Sequence, residues 1–346
     1  MSSRPERAPI TDGVAEQHDR MVRTRQRFFG AANVDPGSGQ VRADRVIVSW
    51  FGCTSYAVAF TGTVLLLDAW IPRGMHSGYV PTEVAEIGWL RPAAIFIGHG
   101  HFDHAGDAGP IAQAAGARIF GTAGHCEGIR KQLRGHRIRC EFTVLGDDTA
   151  APGTRHDFRL TEGVEVSAIH HLHSARKRSD GSSPRLIPRP YPRDILDHPP
   201  TLRDFTDSGR RLFDAHGGVL LYQFRTRGFT LTWHDSSGPL AEDGPQVLRA
   251  LRELPGTDLH LGAIQGFNQA TNGLRDPRHY IEALRPRVFV PGHHDNWGPL
   301  FTSRAASYEA PLRAELARID PARRPELRFL GDPVDYIRPD RLTFEL

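Results

Sequence analysis

The segment Ile95-Phe96-Ile97-Gly98-His99-Gly100-His101-Phe102-Asp103-His104 constrains this chain more than any other. The apolar run 93–97 reads as a short buried strand that stops at Gly98. Four potential metal ligands follow within six residues. Imidazole and carboxylate groups suit zinc and similar borderline cations. His99 and His101 are two apart, so an extended segment turns both to one side. Asp103 and His104 come after the chain turns and can face a second position. One short loop can therefore serve two adjacent metals. A surface loop with chance histidines is the alternative in a chain holding 18 of them. The full H-x-H-x-D-H order argues against it.

This order resembles the signature of the metallo-β-lactamase-fold hydrolases. The resemblance implies an α/β fold, a four-layer αβ/βα sandwich with a metal site at one edge. It also implies further ligands downstream: a His, an Asp and a final His, each near a strand end. The apolar run 164–169 leads into His170-His171-Leu172-His173-Ser174. There the family pattern favours His173, and His171, on the same side of an extended chain, is the alternative. A hairpin over 219–225 and 229–233 ends at His234-Asp235-Ser236. The family places a bridging carboxylate here, and Asp235 fits, although His234 stands where a Gly is usual. The run 288–290 leads to Pro291-Gly292-His293-His294. His293 takes the place of the final ligand, with His294 the runner-up.

The resemblance thus assigns His99, His101 and His173 to one metal and Asp103, His104 and His293 to the other, with Asp235 between them. Asp68, at the end of the opening hairpin, is a candidate to hydrogen-bond a ligand or a metal-bound water. His170, His171, His234, His294 and Tyr191 are candidates for substrate contact or proton transfer. Trp50-Phe51-Gly52 and the Pro-x-His ending resemble the branch containing L-ascorbate-6-phosphate lactonase and N-acyl-phosphatidylethanolamine phospholipase D.

The expected chemistry follows from two divalent ions. Zinc suits these ligands best, with manganese or iron as alternatives. Two cations about 3.5–4 Å apart can hold a bridging hydroxide, because bound water has a pKa lowered toward about 7. Such a hydroxide would cleave an ester, lactone, amide or phosphodiester bond, with Asp103 and Asp235 as the catalytic carboxylates. No G-x-S-x-G nucleophile elbow competes with this reading. An iron-dependent oxidoreductase and a non-catalytic scaffold of the same fold are the other two readings. No flavodoxin-like partner region is visible to support the first, and the complete ligand order disfavours the second.

The 346 residues suffice for one large domain or two small ones, with 39% apolar residues for a core. The formal charge is only +3, and no basic run alternates with aromatics, so nucleic acid is not an expected partner. A small-molecule substrate is expected, and the Arg-rich stretch 175–216 would suit an anionic one. The chemistry of that stretch leaves the substrate itself open, and the oligomeric state is likewise open. Cys53, Cys126 and Cys140 include no C-x-x-C pair, so they read as buried or idle thiols. No apolar run approaches the roughly 20 residues of a spanning helix. The polar N-terminus has no apolar signal region, so a cytoplasmic location is expected.

Residues 1–44 read as an N-terminal extension with a helix over 12–29. Residues 45–346 read as the hydrolase domain, interrupted at about 175–216 by a Pro- and Arg-rich insertion. A loop of that length beside a ligand segment reads as a lid or pocket wall. Further helices are expected over 82–90, capped by Thr82, and over 107–115, 246–254 and 279–284. His125 and Cys126 look like a metal pair in isolation, but helical packing is the expectation. Residues 265–268 read as a pocket rim.

Overall fold

The computed structural model describes residues 13–71, 80–133, 141–175, 192–197, 199–202, 205–206, 209, 217–264, 273–295 and 304–346. Most of the 175–216 insertion, including Tyr191, and the expected rim at 265–268 lie outside these residues.

Two seven-stranded sheets carry the chain. The first holds β1 (Arg45–Trp50), β2 (Tyr56–Phe60), β3 (Thr63–Leu67), β4 (Ala94–Phe96), β5 (Arg118–Gly121) and β6 (Phe142–Val144). The second holds β7 (Arg155–Thr161), β8 (Val164–His170), β9 (Leu220–Thr226), β10 (Phe229–His234), β11 (Leu259–Ala263), β12 (Val288–Gly292) and β13 (Glu326–Leu327). The last strand, β14 (Thr343–Glu345), returns to the first sheet and pairs antiparallel with β1. Strand order is β14-β1-β2-β3-β4-β5-β6 in one sheet and β13-β12-β11-β10-β9-β8-β7 in the other. Each sheet begins with antiparallel hairpins and goes over to parallel pairing where helices intervene. Parallel neighbours need a crossover, and helices supply it.

The sheets face each other across one apolar core. Val48, Val58, Phe60, Leu67 and Phe96 of the first share the face that meets Val166, Tyr222, Phe224, Leu231 and Trp233 of the second. Phe96 stands edge-on to Phe224 at 4.8 Å and to Tyr222 at 5.2 Å, an arrangement aromatic pairs favour. Helices cover the outer faces. Pro245–Glu253 and Arg275–Leu284 close a second cluster with Ile169 and Leu221. Val84–Trp89 and Ala108–Ala115 pack together on the other side. The result is the four-layer αβ/βα sandwich.

The first helix, Val14–Phe29, sits on the first sheet: Phe28 and Phe29 are wholly buried in the main core, and the Ser49 hydroxyl donates to the Phe28 carbonyl. Thr82 does not cap the helix after it. That helix starts at Val84 with Glu83 at its N-cap, and the Thr82 hydroxyl donates instead to Glu86 Oε2. Among the described residues no helix is long and apolar enough to cross a membrane.

The strands position the site. Asp68 follows β3, His99 to His104 follow β4, and His171 to Ser174 follow β8. Asp235 follows β10, and His293 follows β12. All these strand ends converge on one edge of the sandwich.

Candidate metal centre

β4 ends at Phe96, and Gly98 lets the chain pass directly over Asp235. A Cβ at Gly98 would lie 2.2 Å from the Asp235 carboxylate, so only glycine fits without displacement. His99 Nδ1 is 2.8 Å from Asp235 Oδ2, and His99 Nε2 is 3.0 Å from His101 Nδ1. The His173 ring centroid lies 4.8 Å from that of His99 and 5.0 Å from that of His101. His173 Nδ1 lies 3.0 Å from the Ser174 carbonyl, to which it can only donate. That bond sets the tautomer and leaves Nε2 with a lone pair.

Asp103 and His104 sit on the short helix Phe102–Ala105, which the sequence reading treats only as a turn. His104 Nδ1 donates to Asp68 Oδ2 at 2.8 Å. Asp68 also accepts from the Thr54 hydroxyl at 2.7 Å and from Gly98 N–H at 3.2 Å. His104 Nε2 is 3.5 Å from Asp103 Oδ2, and His293 Nε2 is 3.3 Å from the same oxygen.

Three overlapping groups of ligand-type atoms result, each with its members within 4.8 Å of one another: His99, His101 and His173; His99, His104 and Asp235; and Cys53, Asp103, His104 and His293. Cys53 is buried, as the reading of the cysteines as buried or idle thiols allows, but that reading does not anticipate its place beside Asp103, His104 and His293. Cys126 does match the packing expectation: it is buried, and His125 beside it accepts from Thr122 N–H and donates to the Gly218 carbonyl.

The other histidine candidates face packing partners and fall outside the three groups. His171 Nδ1 pairs with the Tyr280 hydroxyl at 2.9 Å. His234 Nδ1 pairs with the Ser236 carbonyl at 2.8 Å, and its ring stacks on Tyr280. His294 is wholly buried between Trp50 and Phe329. His170 Nε2 contacts the Leu145 carbonyl at 3.0 Å.

Electrostatics fit the centre to cations. Burial, reinforced by His104, His173 and His101, holds the His99 imidazole well below its ordinary pKa, which keeps the ring neutral and leaves one of its two nitrogens with a free lone pair. Burial and the neighbouring Asp68 push the Asp235 carboxyl well up. Burial opposes charge on His104 too, yet Asp103, Asp235 and Asp68 outweigh it and raise the imidazole to about 10. Burial likewise works against Asp103, but His104 and His293 hold it well below the usual carboxylate range. Three carboxylates in one buried pocket thus draw in positive charge. Asp235 Oδ1 is buried and accepts no hydrogen bond among the described residues. Cys53, Asp68 and His293 all have positive φ, at 51°, 53° and 56°. Such strain costs about 1–3 kcal/mol each and gathers at functional sites.

Residues 48–220 match the family described as the metallo-β-lactamase superfamily. The chain belongs to that superfamily. A protein named UPF0173 metal-dependent hydrolase from Pyrobaculum neutrophilum is 44% identical over 133 residues, which cover 38% of this chain and 52% of that protein. A protein of the same name from Pyrobaculum calidifontis is 35% identical over 133 residues, with the same coverage of both chains. The chain spans about half the length of these curated relatives. The structure of Igni18, described as a metallo hydrolase from Ignicoccus hospitalis, aligns with a TM-score of 0.52 at 16% identity. That alignment covers 87% of this chain and 99% of Igni18, and it shows that the metallo-β-lactamase fold extends over most of the molecule.

Proposed function

We propose that this member of the superfamily is a hydrolase working through two divalent metal ions, zinc by preference. The observation that carries the reading is the convergence of three overlapping groups of ligand-type atoms at one sandwich edge. The sequence relatives named metal-dependent hydrolases support the same reaction class. His99, His101 and His173 would hold one ion, and Asp103, His104 and His293 the other. Asp235 would lie between the two and so offset the repulsion between two cations. Bound there, the ions would supply a water nucleophile at neutral pH and Lewis-acid stabilisation of the departing oxygen.

The remaining work falls to the protein. Asp68 accepts the hydrogen bond of His104 Nδ1–H and so turns Nε2 toward Asp103 and the pocket. Thr54 and Gly98 N–H hold Asp68 in that orientation. The Ser174 carbonyl does the same for His173. Asp103, ionised and adjacent to both His104 and His293, would orient the attacking water as well as bind metal. The substrate is a small molecule carrying an ester, lactone, amide or phosphodiester bond. The Arg-rich insertion favours an anionic one.

The test is a turnover screen of chelator-stripped and zinc-reconstituted protein against lactone, phosphodiester, phosphomonoester and amide panels. Hydrolysis that disappears on chelation and returns with zinc is expected. Turnover on any panel that is indifferent to chelation counts against the reading.

A further inference from the structure

We infer that Cys53 is itself a metal ligand, its thiolate joining Asp103, His104 and His293 at the second ion. This rests on the two-ion reading above but adds sulfur to a ligand set that otherwise contains only nitrogen and oxygen. The Cys53 sulfur and one ligand atom from each of those three residues lie within 4.8 Å of one another, and all four residues are buried. An inert buried thiol behaves as a small apolar group and packs among apolar neighbours. Cys53 instead shares its pocket with a carboxylate and two imidazoles, and Asp235 Oδ1, an acceptor without a hydrogen bond among the described residues, belongs to the carboxylate beside His104.

The backbone imposes this direction on the side chain. Cys53 N–H donates to both carboxylate oxygens of Asp295, at 3.0 and 3.1 Å. The Tyr336 hydroxyl in turn donates to Asp295 Oδ2 at 2.6 Å. The Cys53 carbonyl accepts from Trp50 Nε1 at 3.0 Å and from His293 N–H at 2.9 Å. These four bonds hold a non-glycine residue at φ 51°, and one of them comes from a proposed ligand.

Coordination would break the S–H bond heterolytically. The proton leaves to solvent, the electron pair forms the sulfur–metal bond, and nothing is oxidised or reduced. A thiolate favours soft and borderline ions, so the second position would select zinc, cobalt or cadmium over manganese and magnesium.

Cobalt(II) titration of the full chain tests this, because thiolate coordination adds a near-ultraviolet sulfur-to-cobalt charge-transfer band that nitrogen and oxygen ligands do not produce. The wild type should develop the band as cobalt binds. Cys53→Ser should lose the band, keep the first ion, and bind the second at least roughly 10- to 100-fold more weakly, since even a ligand's outer partner costs that much. Circular dichroism checks that the variant folds. Should it not fold, the band persisting in Cys126→Ser and in Cys140→Ser assigns it to Cys53, and its loss in either one overturns the inference. Two bound cobalt ions without the band, or a band that survives Cys53→Ser, also overturns it while leaving the two-ion reading intact. At most one bound cobalt defeats the two-ion reading. In that case the band, present in wild type and lost in Cys53→Ser, still assigns Cys53 as a ligand, and its absence refutes the assignment.

Discussion

Gly98 and Asp235 come from different sheets and meet so closely that a Cβ on the glycine would lie 2.2 Å from the carboxylate carbon. The same glycine donates its N–H to Asp68. One residue without a side chain therefore fixes two of the three carboxylates around the pocket. Gly98→Ala should displace Asp235 while β4 keeps its pairing with β3 and β5. The expected result is native circular dichroism with metal affinity reduced by more than about 10-fold, the lower end of what loss of an outer partner causes. Unchanged metal binding in Gly98→Ala would mean that the carboxylate can move without consequence.

The adjacent histidines separate cleanly. His173→Ala and His293→Ala should lose bound metal and turnover. His171→Ala and His294→Ala should lower Tm, because each leaves a void among buried rings, and should retain most of the metal. Metal analysis that gives the reverse pattern would place the ligands one residue away from this assignment.

His260 makes the fold acid-sensitive. It is buried between His234 and Phe289, and neither ring nitrogen is hydrogen-bonded among the described residues. Burial, then His234, holds its pKa well below the ordinary value. The unfolded chain takes up a proton near pH 6.5, and the folded chain resists it, so this stability is present above about 6.5 and lost as pH falls. The loss is about 1.4 kcal/mol per pH unit for such a group. The urea midpoint should therefore drop between pH 7.5 and 5.5, and His260→Leu should flatten that drop. An identical pH dependence in the variant would remove His260 from the account.

The architecture was largely legible because the alternating strands and glycine breaks are local signals. β7 was not: its Arg-His-Asp-Phe-Arg-Leu-Thr sequence has only Phe158 and Leu160 to bury, as befits an edge strand. The short helix Phe102–Ala105 was hidden for a different reason, being a single turn shorter than any periodicity can show. The order of histidines and aspartates was legible, because each follows an apolar run. Cys53 was not, because nothing near it in sequence marks it. Its neighbours Asp103, His104 and His293 arrive only when both sheets close.

Asp235 should behave unlike the other carboxylates. As a group serving two ions, its loss should affect both, the second more than the first. Asp235→Ala should lower turnover well beyond the roughly 10- to 100-fold expected of an outer partner. β10 pairs with β9 and β11 through backbone bonds, so the fold should survive. If His234→Ala strips metal while Asp235→Ala does not, the aspartate merely ends its strand and the histidine is the ligand.

The most direct measurement is the number of divalent ions bound per chain. Protein stripped with chelator, saturated with zinc, desalted and subjected to elemental analysis should carry two ions. A value of one or less at saturation would contradict the two-ion centre on which the proposed hydrolysis depends.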